Sequence, residues 1–586
     1  MDRRMSEKNI ASFAVDLVVT LGSKTAFSLT GGMAMYLNAA AANNKSLKNV
    51  YCQHEQACVA AAEGFAKASN FKTAGFAIVT AGPGVSNAVT SLISAYGDSV
   101  PLVVLAGQIK SEDIDKFGTR THGIQEINSK ALIAPIVKKF VRVTKKNYQA
   151  QLVDCIAEAF LGRPGPVFIE FPLDIQGVKI SYSNADLKAA ADLILEKLNS
   201  VNSQNLKLEQ FLLALTKVEK PLLYLGNGCR IAGVEDEVLS FAKKYNIPCI
   251  FSWLSFDALP FEAGINMGCP GGLAPIYSNK ILSEAQMIVF LGARLDLGTT
   301  AFQRESFGKQ AKKIFVDIDQ SELLKFKHIK DAKFVKTNLK SLQGLSRRLS
   351  GHKVFKNWLS YCQSLKAKYM EEEATRLKGN SLTVYEVTQK ISEICADKVI
   401  IPASSGYAEE TFTRFFQPKK NTRFFNGAAL GAMGLGLSHA IGASCATKKQ
   451  VICLEADGGI MLNLQELATL KQLAPPKFVL IILNNYGYES IRASQNRHFG
   501  RLYGADESSG LFIPDFSEIS ASFKLKYVRI SNLKELGKLQ ELIDGALTPL
   551  VIDISVDRQE YRGPSVKTVI NSKGKISSTS LRDISW

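Results

Sequence analysis

The sequence predicts an α/β protein made of three consecutive Rossmann-like domains, each built around a parallel sheet. Three observations carry this. Short apolar runs recur along the chain and alternate with helix-length stretches, the pattern of repeated βα units. The runs are apolar throughout rather than alternating, as strands covered on both faces must be. Several end in glycine or polar residues, at the edge where parallel sheets bind their ligands.

Residues 1–185 form the first unit. Ala26–Leu29 runs into Thr30-Gly31-Gly32. Asn49–Cys52 leads to Gln53-His54-Glu55-Gln56 and a small-residue helix, Ala57–Ala68. Gly75–Val79 runs into Thr80-Ala-Gly-Pro-Gly84, a Gly-rich helix start. Leu102–Ala106 is the next strand, and Gly162-Arg-Pro-Gly-Pro166 introduces Val167–Phe171. A linking helix and polar joint at 186–205 precede the second unit, 205–345. Its strands are Pro221–Leu225, Ile247–Phe251, Met287–Leu291 and Lys313–Val316, with strand-end loops Gly226-Asn227-Gly228 and Gly292-Ala-Arg294-Leu-Asp296. Charged helical sequence within 340–380 makes a second linker. The third unit, 375–560, holds Val399–Ile401 running into Pro402-Ala-Ser-Ser-Gly406, and the small-residue run Gly427–Gly442. Its further strands are Val451–Leu454, Phe478–Leu483 and Leu550–Ile554. Residues 561–586 are polar and basic and read as a surface-lying or mobile tail.

Composition narrows the class. With 46% hydrophobic and 21% charged residues, the chain can bury large cores. The net charge of +17 suits anionic substrates or cofactors as well as a solvated lysine-rich surface. No basic stripe interleaved with aromatics exists, which argues against nucleic acid. The ten cysteines are scattered, none in CxxC, and no apolar run is long enough to span a membrane. These features, with no signal-peptide pattern at the N-terminus, predict a reduced, cytoplasmic protein with no membrane partner.

Chemistry concentrates in Glu455–Tyr488. The strand Val451–Leu454 breaks into Asp457-Gly458-Gly459. A helical stretch follows with Leu462, Leu467 and Leu470 at roughly helical spacing, and then Phe478–Leu483 ends at Asn484-Asn485. Asp457 offers an anionic oxygen and Asn485 an amide oxygen at the carboxyl ends of adjacent strands. The glycines allow backbone N–H groups close to an anion. That set suits magnesium carrying a diphosphate, since the ion takes one or two protein oxygens plus phosphate and water. Each half alone is equally an ordinary Gly turn or an Asn cap. Glu55 stands at the head of the small-residue helix, where it could equally be a favourable N-terminal charge.

Together these features resemble the thiamin-diphosphate motif, an Asp-Gly start closed by Asn-Asn. Asn484 lies 27 residues after Asp457 (484 − 457); Ala456 stands where the family usually has Gly. Glu55 in its strand–His-Glu–helix setting is similar to the family's activating glutamate, which protonates the cofactor's aminopyrimidine. The chain as a whole resembles the acetohydroxyacid (acetolactate) synthase branch. The resemblance implies that Gly31 and Gly32 lie over the reactive carbon and that Gln125 belongs to the pocket glutamine motif. Gly82, Gly84 and Asn87 match the branch's Gly-Pro-Gly helix start, and 162–172 its domain-closing signature. It also implies that the Gly431 carbonyl takes the aminopyrimidine while Met433 props the cofactor. Gly406, Tyr407, Gly458 and Gly459 would line the diphosphate, with Asp457, Asn485 and the Gly487 carbonyl on Mg2+. Family members bridge the cofactor between two chains, so a homodimer or homotetramer is implied.

Departures bear on substrate. The stretch 486–499 lacks the tryptophan of biosynthetic acetolactate enzymes. Ile491 stands where pyruvate decarboxylases carry Glu, and the first domain has only His54 and His122 instead of paired histidines. Tyr407-Ala408 replaces the branch's Gln-His. The segment 486–510 looks like sugar-pathway (yersiniose-type) carboligases. Arg492, Gln495, Arg497 and His498 would then meet an anionic acceptor, against the alternative of a solvated basic helix. Gly226 and Arg294 resemble contact residues for a non-redox FAD, against the alternative of an Arg294 ion pair with Asp296 or Asp317.

The expected function is therefore decarboxylation of a 2-oxo acid, pyruvate first, and carboligation of its acyl unit to a carbonyl acceptor, with a keto-sugar nucleotide as one acceptor. Glu55, Gln125 and Gly32 would be catalytic. The alternatives are acetolactate synthase itself, a lyase or hydrolase using the same cofactor on acyl-CoA or cyclic diketones, and a non-catalytic regulator. A nicotinamide dehydrogenase would need GxGxxG with a downstream acid, which no unit shows cleanly.

Overall fold

The structure is a computed structural model, and it describes residues 8–200, 208–345, 354–377, 379–558, 563–566, 568–570 and 576–584. Three parallel sheets follow one another along the chain. The first contains β1 (Thr25–Ser28), β2 (Lys48–Tyr51), β3 (Gly75–Val79), β4 (Leu102–Gln108), β5 (Lys139–Arg142) and β6 (Pro166–Pro172), in the order β2-β1-β3-β4-β6-β5. The second contains β7 (Pro221–Leu225), β8 (Cys249–Phe251), β9 (Met287–Leu291), β10 (Lys312–Asp317) and β11 (Ala332–Lys336), in the order β11-β10-β9-β7-β8. The third contains β12 (Val399–Pro402), β13 (Arg423–Phe424), β14 (Val451–Ala456), β15 (Phe478–Asn484), β16 (Lys526–Ile530) and β17 (Leu550–Ser555), in the order β13-β12-β14-β15-β17-β16. Counted from its own first strand, the third sheet repeats the order of the first.

The strands expected from apolar runs are all present. Those the sequence does not announce are β5, β11, β13 and β16, and each is an edge strand. An edge strand has one neighbour and a wetter face, so its apolar signal is diluted. β5 is half-buried throughout, and β16 has only exposed or half-buried positions before Ile530. Central strands such as β4, β6 and β15 are buried at every position.

The first and third domains share one core. Val59, Ala62 and Val104 belong to the same apolar cluster as Leu437, Ile441 and Leu480. Its spine is a crossing of two helices, α1 (Glu55–Ala68) and α2 (Leu435–Ala446). They approach through glycine: a Cβ on Gly64 would overlap the His439 backbone, and one on Gly442 would overlap the Ala61 carbonyl. This is why both helices are written in small residues.

The linkers dock. Asn184–Ser200 is helical and buries Leu187, Ala190, Ala191 and Ile194 in a core of the first domain. Lys356–Leu377 is helical, and its Trp358 indole donates to the Pro221 carbonyl at 2.8 Å. Where a surface-lying or mobile tail is expected, the described tail residues are held. Thr568–Ile570 pairs antiparallel with Ile576–Ser578, the Val566 N–H donates to Gly272, and Leu581 and Ile584 are buried in the middle-domain core. The polar sequence hides these two anchors. Among the described residues no helix is long and apolar enough to cross a membrane.

Candidate active site

Asp457 follows β14 directly and is 1% exposed. Its Oδ1 accepts from the Gly458 N–H at 2.6 Å, and its Oδ2 from the N–H groups of Asn485 at 3.1 Å and Gly487 at 2.9 Å. One carboxylate thus ties the turn after β14 to the loop after β15. Burial pushes its pKa up to about 6, and these donors offset that only in part. Beside it the Asn485 Oδ1 is buried with no hydrogen-bond partner. A cation held between them would satisfy both. Among the described residues no three His, Cys, Asp or Glu side chains gather as a metal site. A metal here would therefore draw its remaining ligands from backbone, water or a bound phosphate.

The glycines nearby have distinct reasons. A Cβ on Gly458 would overlap the Tyr488 ring, and one on Gly459 would press on the Glu455 carboxyl. Gly487 has φ +148° and faces the Ala505 carbonyl. Gly406 (φ +81°), after β12, has open space around its missing side chain, and Gly431 (φ +64°), after β13, has only the Ser404 carbonyl near it. Tyr407 is buried and Met433 half-buried.

Glu55 is the first residue of α1 and is 6% exposed. The Asn87 amide donates to its Oε2 at 3.0 Å, and His54 caps the helix through Nδ1 to the Gln56 N–H. Gly31 packs on Thr80, which leaves no space for a Cβ there, whereas Gly32 is exposed with open space around it. Gln125 is exposed, with φ +64°, and its backbone closes on Gly82. All of these residues lie on loops or helix starts beyond strands of the first sheet, as the Asp457 group does in the third. Among the described residues no hydrogen bond joins Glu55 to Asp457.

What does join the two domains was not singled out in the sequence. The Gln53 N–H donates to Glu466 at 3.0 Å, and burial pushes the Glu466 carboxyl up to about 7. Lys67, fully buried on α1, pairs with Glu63 at 2.6 Å and Asp98 at 2.8 Å and donates to the Asn426 carbonyl at 2.6 Å. Burial works against its charge, but Asp98 and Glu63 outweigh it and hold the amine above its ordinary pKa. The signal was there: a Glu–Lys pair four apart inside a helix otherwise made of small apolar residues.

The residues expected at the acceptor divide. They lie on α3 (Glu489–Phe499). Arg492 is buried, paired with Glu489 at 2.8 Å. Gln495 is engaged with both the N–H and the carbonyl of Tyr503. Arg497 and His498 are exposed, and Ile491 is 43% exposed. In the middle domain, a cavity of about 270 Å³ opens between Gly228, Trp253, Arg294, Asp317 and Asn338, with Arg163 of the first domain on its wall. Arg294 pairs with Asp98 at 3.1 Å and Asp296 at 3.5 Å. Gly226 serves the packing of β7's end on Gly292 and does not line the cavity. Burial pushes Asp317 up to about 6.

Comparison with known proteins gives a consistent picture. Residues 8–132 match the thiamine pyrophosphate enzyme N-terminal TPP binding domain, 208–345 the central domain, and 404–554 the C-terminal TPP binding domain. The chain is similar to the acetolactate synthase large subunit of Lactococcus lactis, at 28% identity over 94% of this chain and 93% of the relative. It is also 28% identical to probable acetolactate synthase 2, chloroplastic, of rice, over 96% of this chain and 85% of the relative. The chloroplastic acetolactate synthase of Arabidopsis thaliana matches at 28% over 95% and 82%.

Proposed function

For a chain that belongs to the thiamine pyrophosphate enzymes, on their acetolactate synthase-like branch, we propose a thiamin-diphosphate- and magnesium-dependent carboligation. A 2-oxo acid, pyruvate first, loses CO2 and its acyl unit is joined to a carbonyl acceptor, the keto group of a nucleotide sugar. When bound, the cofactor supplies the nucleophilic carbon and the electron sink for decarboxylation.

The observation that carries this reading is the unpartnered Asn485 Oδ1 beside the buried Asp457 carboxylate. Leaving such an oxygen unpaired costs about 1–3 kcal/mol, and a hard cation offsets it. Asp457, Asn485 and the Gly487 carbonyl form the magnesium set. Gly406, Tyr407, Gly458 and Gly459 flank the diphosphate, and the Gly431 carbonyl and Met433 hold the aminopyrimidine. Glu55, oriented by Asn87, holds a proton at the ring nitrogen. Gly32 and Gln125 stabilise negative charge developing on the substrate oxygen. Following the family resemblance, the cofactor is read as bridging two chains, Glu55 from one and Asp457 from the other, in a homodimer or homotetramer.

Carboligation is favoured over release of an aldehyde because Ile491 cannot deliver a proton from the position where decarboxylases carry Glu. Arg497 and His498, exposed on α3, suit the diphosphate of a nucleotide sugar; Gln495 shapes the same loop through Tyr503. FAD is the ligand the family resemblance suggests for the cavity by Arg294, against the alternative that Arg294 serves its ion pairs with Asp98 and Asp296, and absorbance of the purified protein near the flavin bands tests it.

A second reading, acetolactate synthase itself, is favoured by the near full-length match to enzymes of that name. One experiment separates the two. The protein is incubated with thiamin diphosphate, magnesium and pyruvate, with and without nucleotide keto-sugars, and products are read by mass spectrometry. A branched sugar product formed only with pyruvate is expected. Acetolactate from pyruvate alone favours the second reading, and pyruvate untouched with every acceptor removes the donor assignment.

A further inference from the structure

We propose that Arg492 is a positioning residue for the divalent-cation site and not a contact to the acceptor. This deepens the reading above and rests on its magnesium site. Arg492 is 6% exposed, one turn into α3, and its side chain runs back toward the helix start, as helical side chains do. There its Nη2 donates to the Asn485 carbonyl at 3.1 Å and its Nη1 to the Tyr486 carbonyl at 3.4 Å. Its Nε and Nη2 meet Glu489 Oε2 at 2.9 and 2.8 Å, and Asp506 lies 3.9 Å from Nη1.

The loop after β15 is therefore gripped on two edges. Asp457 takes the N–H groups of Asn485 and Gly487 from one side, and the Arg492 guanidinium takes the carbonyls of Asn485 and Tyr486 from the other. Between them Tyr486 sits at φ +61°, a conformation that costs free energy in a residue with a side chain and persists only where its surroundings hold it. With both main-chain groups of Asn485 engaged, its side-chain Oδ1 is the oxygen left buried and unpartnered. Glu489 neutralises the guanidinium, so the cation site does not face an uncompensated positive charge. A lysine ammonium lacks the planar fork that reaches two neighbouring carbonyls and a carboxylate together.

The test is calorimetric titration of thiamin diphosphate into the cofactor-free protein at a series of Mg2+ concentrations. It compares wild type, Arg492→Met, Arg492→Lys and Glu489→Gln, and thermal unfolding of each protein without cofactor reports folding. Arg492→Met is expected to raise the Mg2+ concentration for half-maximal cofactor binding by about 10–100-fold, as loss of outer-sphere support to a metal site does. Arg492→Lys and Glu489→Gln should fall in between. At saturating Mg2+ the KM for the acceptor should match wild type. An unchanged Mg2+ requirement in these variants, or a rise in acceptor KM alone, overturns the proposal. Should Arg492→Met fail to fold, Arg492→Lys and Glu489→Gln carry the same comparison. Wild type that binds no cofactor at any Mg2+ concentration overturns the magnesium reading itself, whereas wild-type binding with unaffected variants overturns only the role of Arg492.

Discussion

The first and third sheets have the same strand order and carry different chemistry. After its second strand the first sheet goes almost at once into α1, so Glu55 sits at a helix start with a buried carboxylate. At the matching place the third sheet inserts the loop Phe425–Gly434 before α2, and this loop carries Gly431 and Met433. After the third strand the first sheet has Thr80 and a Gly-rich helix start, while the third has Asp457. After the fourth strand the first sheet leads into the long segment that holds Gln125, and the third into Asn485, Gly487 and Arg492. Under the proposed function, one scaffold would serve a proton-holding end and a metal-holding end, and the difference lies in what the strand-end loops carry. The two domains meet through the helices that follow the second strand of each sheet, at the glycine crossing of α1 and α2.

The largest test of this division uses two inactive variants. Glu55→Gln should lower kcat by about 10²–10⁴-fold, the range for loss of an acid–base group, and Asp457→Asn should abolish magnesium-dependent cofactor binding. If each site takes Glu55 from one chain and Asp457 from another, coexpressed variants form mixed dimers with one intact site. Activity should then return to about a quarter of wild type, since about half of the dimers are mixed in a symmetric assembly. No recovery would place both residues in a site made by a single chain.

Next in size is the joint between the two copies. Lys67→Met takes the shared ammonium from buried Glu63 and Asp98, leaving Asp98 to Arg294 and Glu63 to the His439 imidazole, at a cost of up to about 3–5 kcal/mol. A clear fall in Tm is expected, smaller when Glu63→Gln is added, because the two residues share one network. An unchanged Tm would mean the joint rests on the helix crossing alone.

The smallest effect concerns Glu409, buried beside the Gly406–Tyr407 turn, where the Thr413 hydroxyl donates to it at 3.1 Å. Burial, with the charge of Glu410 behind it, pushes its pKa up to about 8 from 4.5. The folded protein keeps a proton there between these values that the unfolded chain has released. Stability therefore falls as pH rises through that window and levels off above it. Between pH 7 and 9 the loss is about 1 kcal/mol at 1.36 kcal/mol per pKa unit. Glu409→Gln should flatten this part of the Tm–pH curve relative to wild type, and parallel curves would remove the assignment.

Legibility followed burial and locality. The central strands, Glu55 before its small-residue helix, and the Asp457–Asn485 pair were readable because each is a local pattern: a strand covered on both faces must be apolar, and a strand end that carries a ligand must be glycine or polar. β5, β11 and β16 were not readable, because an edge strand need bury only part of itself, and β13 because two buried residues make too short a run. Leu581 and Ile584 were hidden in a polar tail for a related reason, since two anchors suffice to dock it.

What the sequence determined by itself was therefore the architecture and the residue types at the candidate site: three domains of repeated βα units, a carboxylate at one helix start, and a carboxylate and an amide at neighbouring strand ends. What only the tertiary structure decided was which polar groups are already spoken for. Arg492 looked like a free cation on a basic helix, yet it is buried against Glu489 and the loop carbonyls. Asn485 read as a ligand oxygen or as a cap, and its buried Oδ1 has no hydrogen-bond partner. Both outcomes depend on residues that meet only after the chain has folded. The cost of an unpaired buried polar group is set by those neighbours, and a residue's own type does not reveal it.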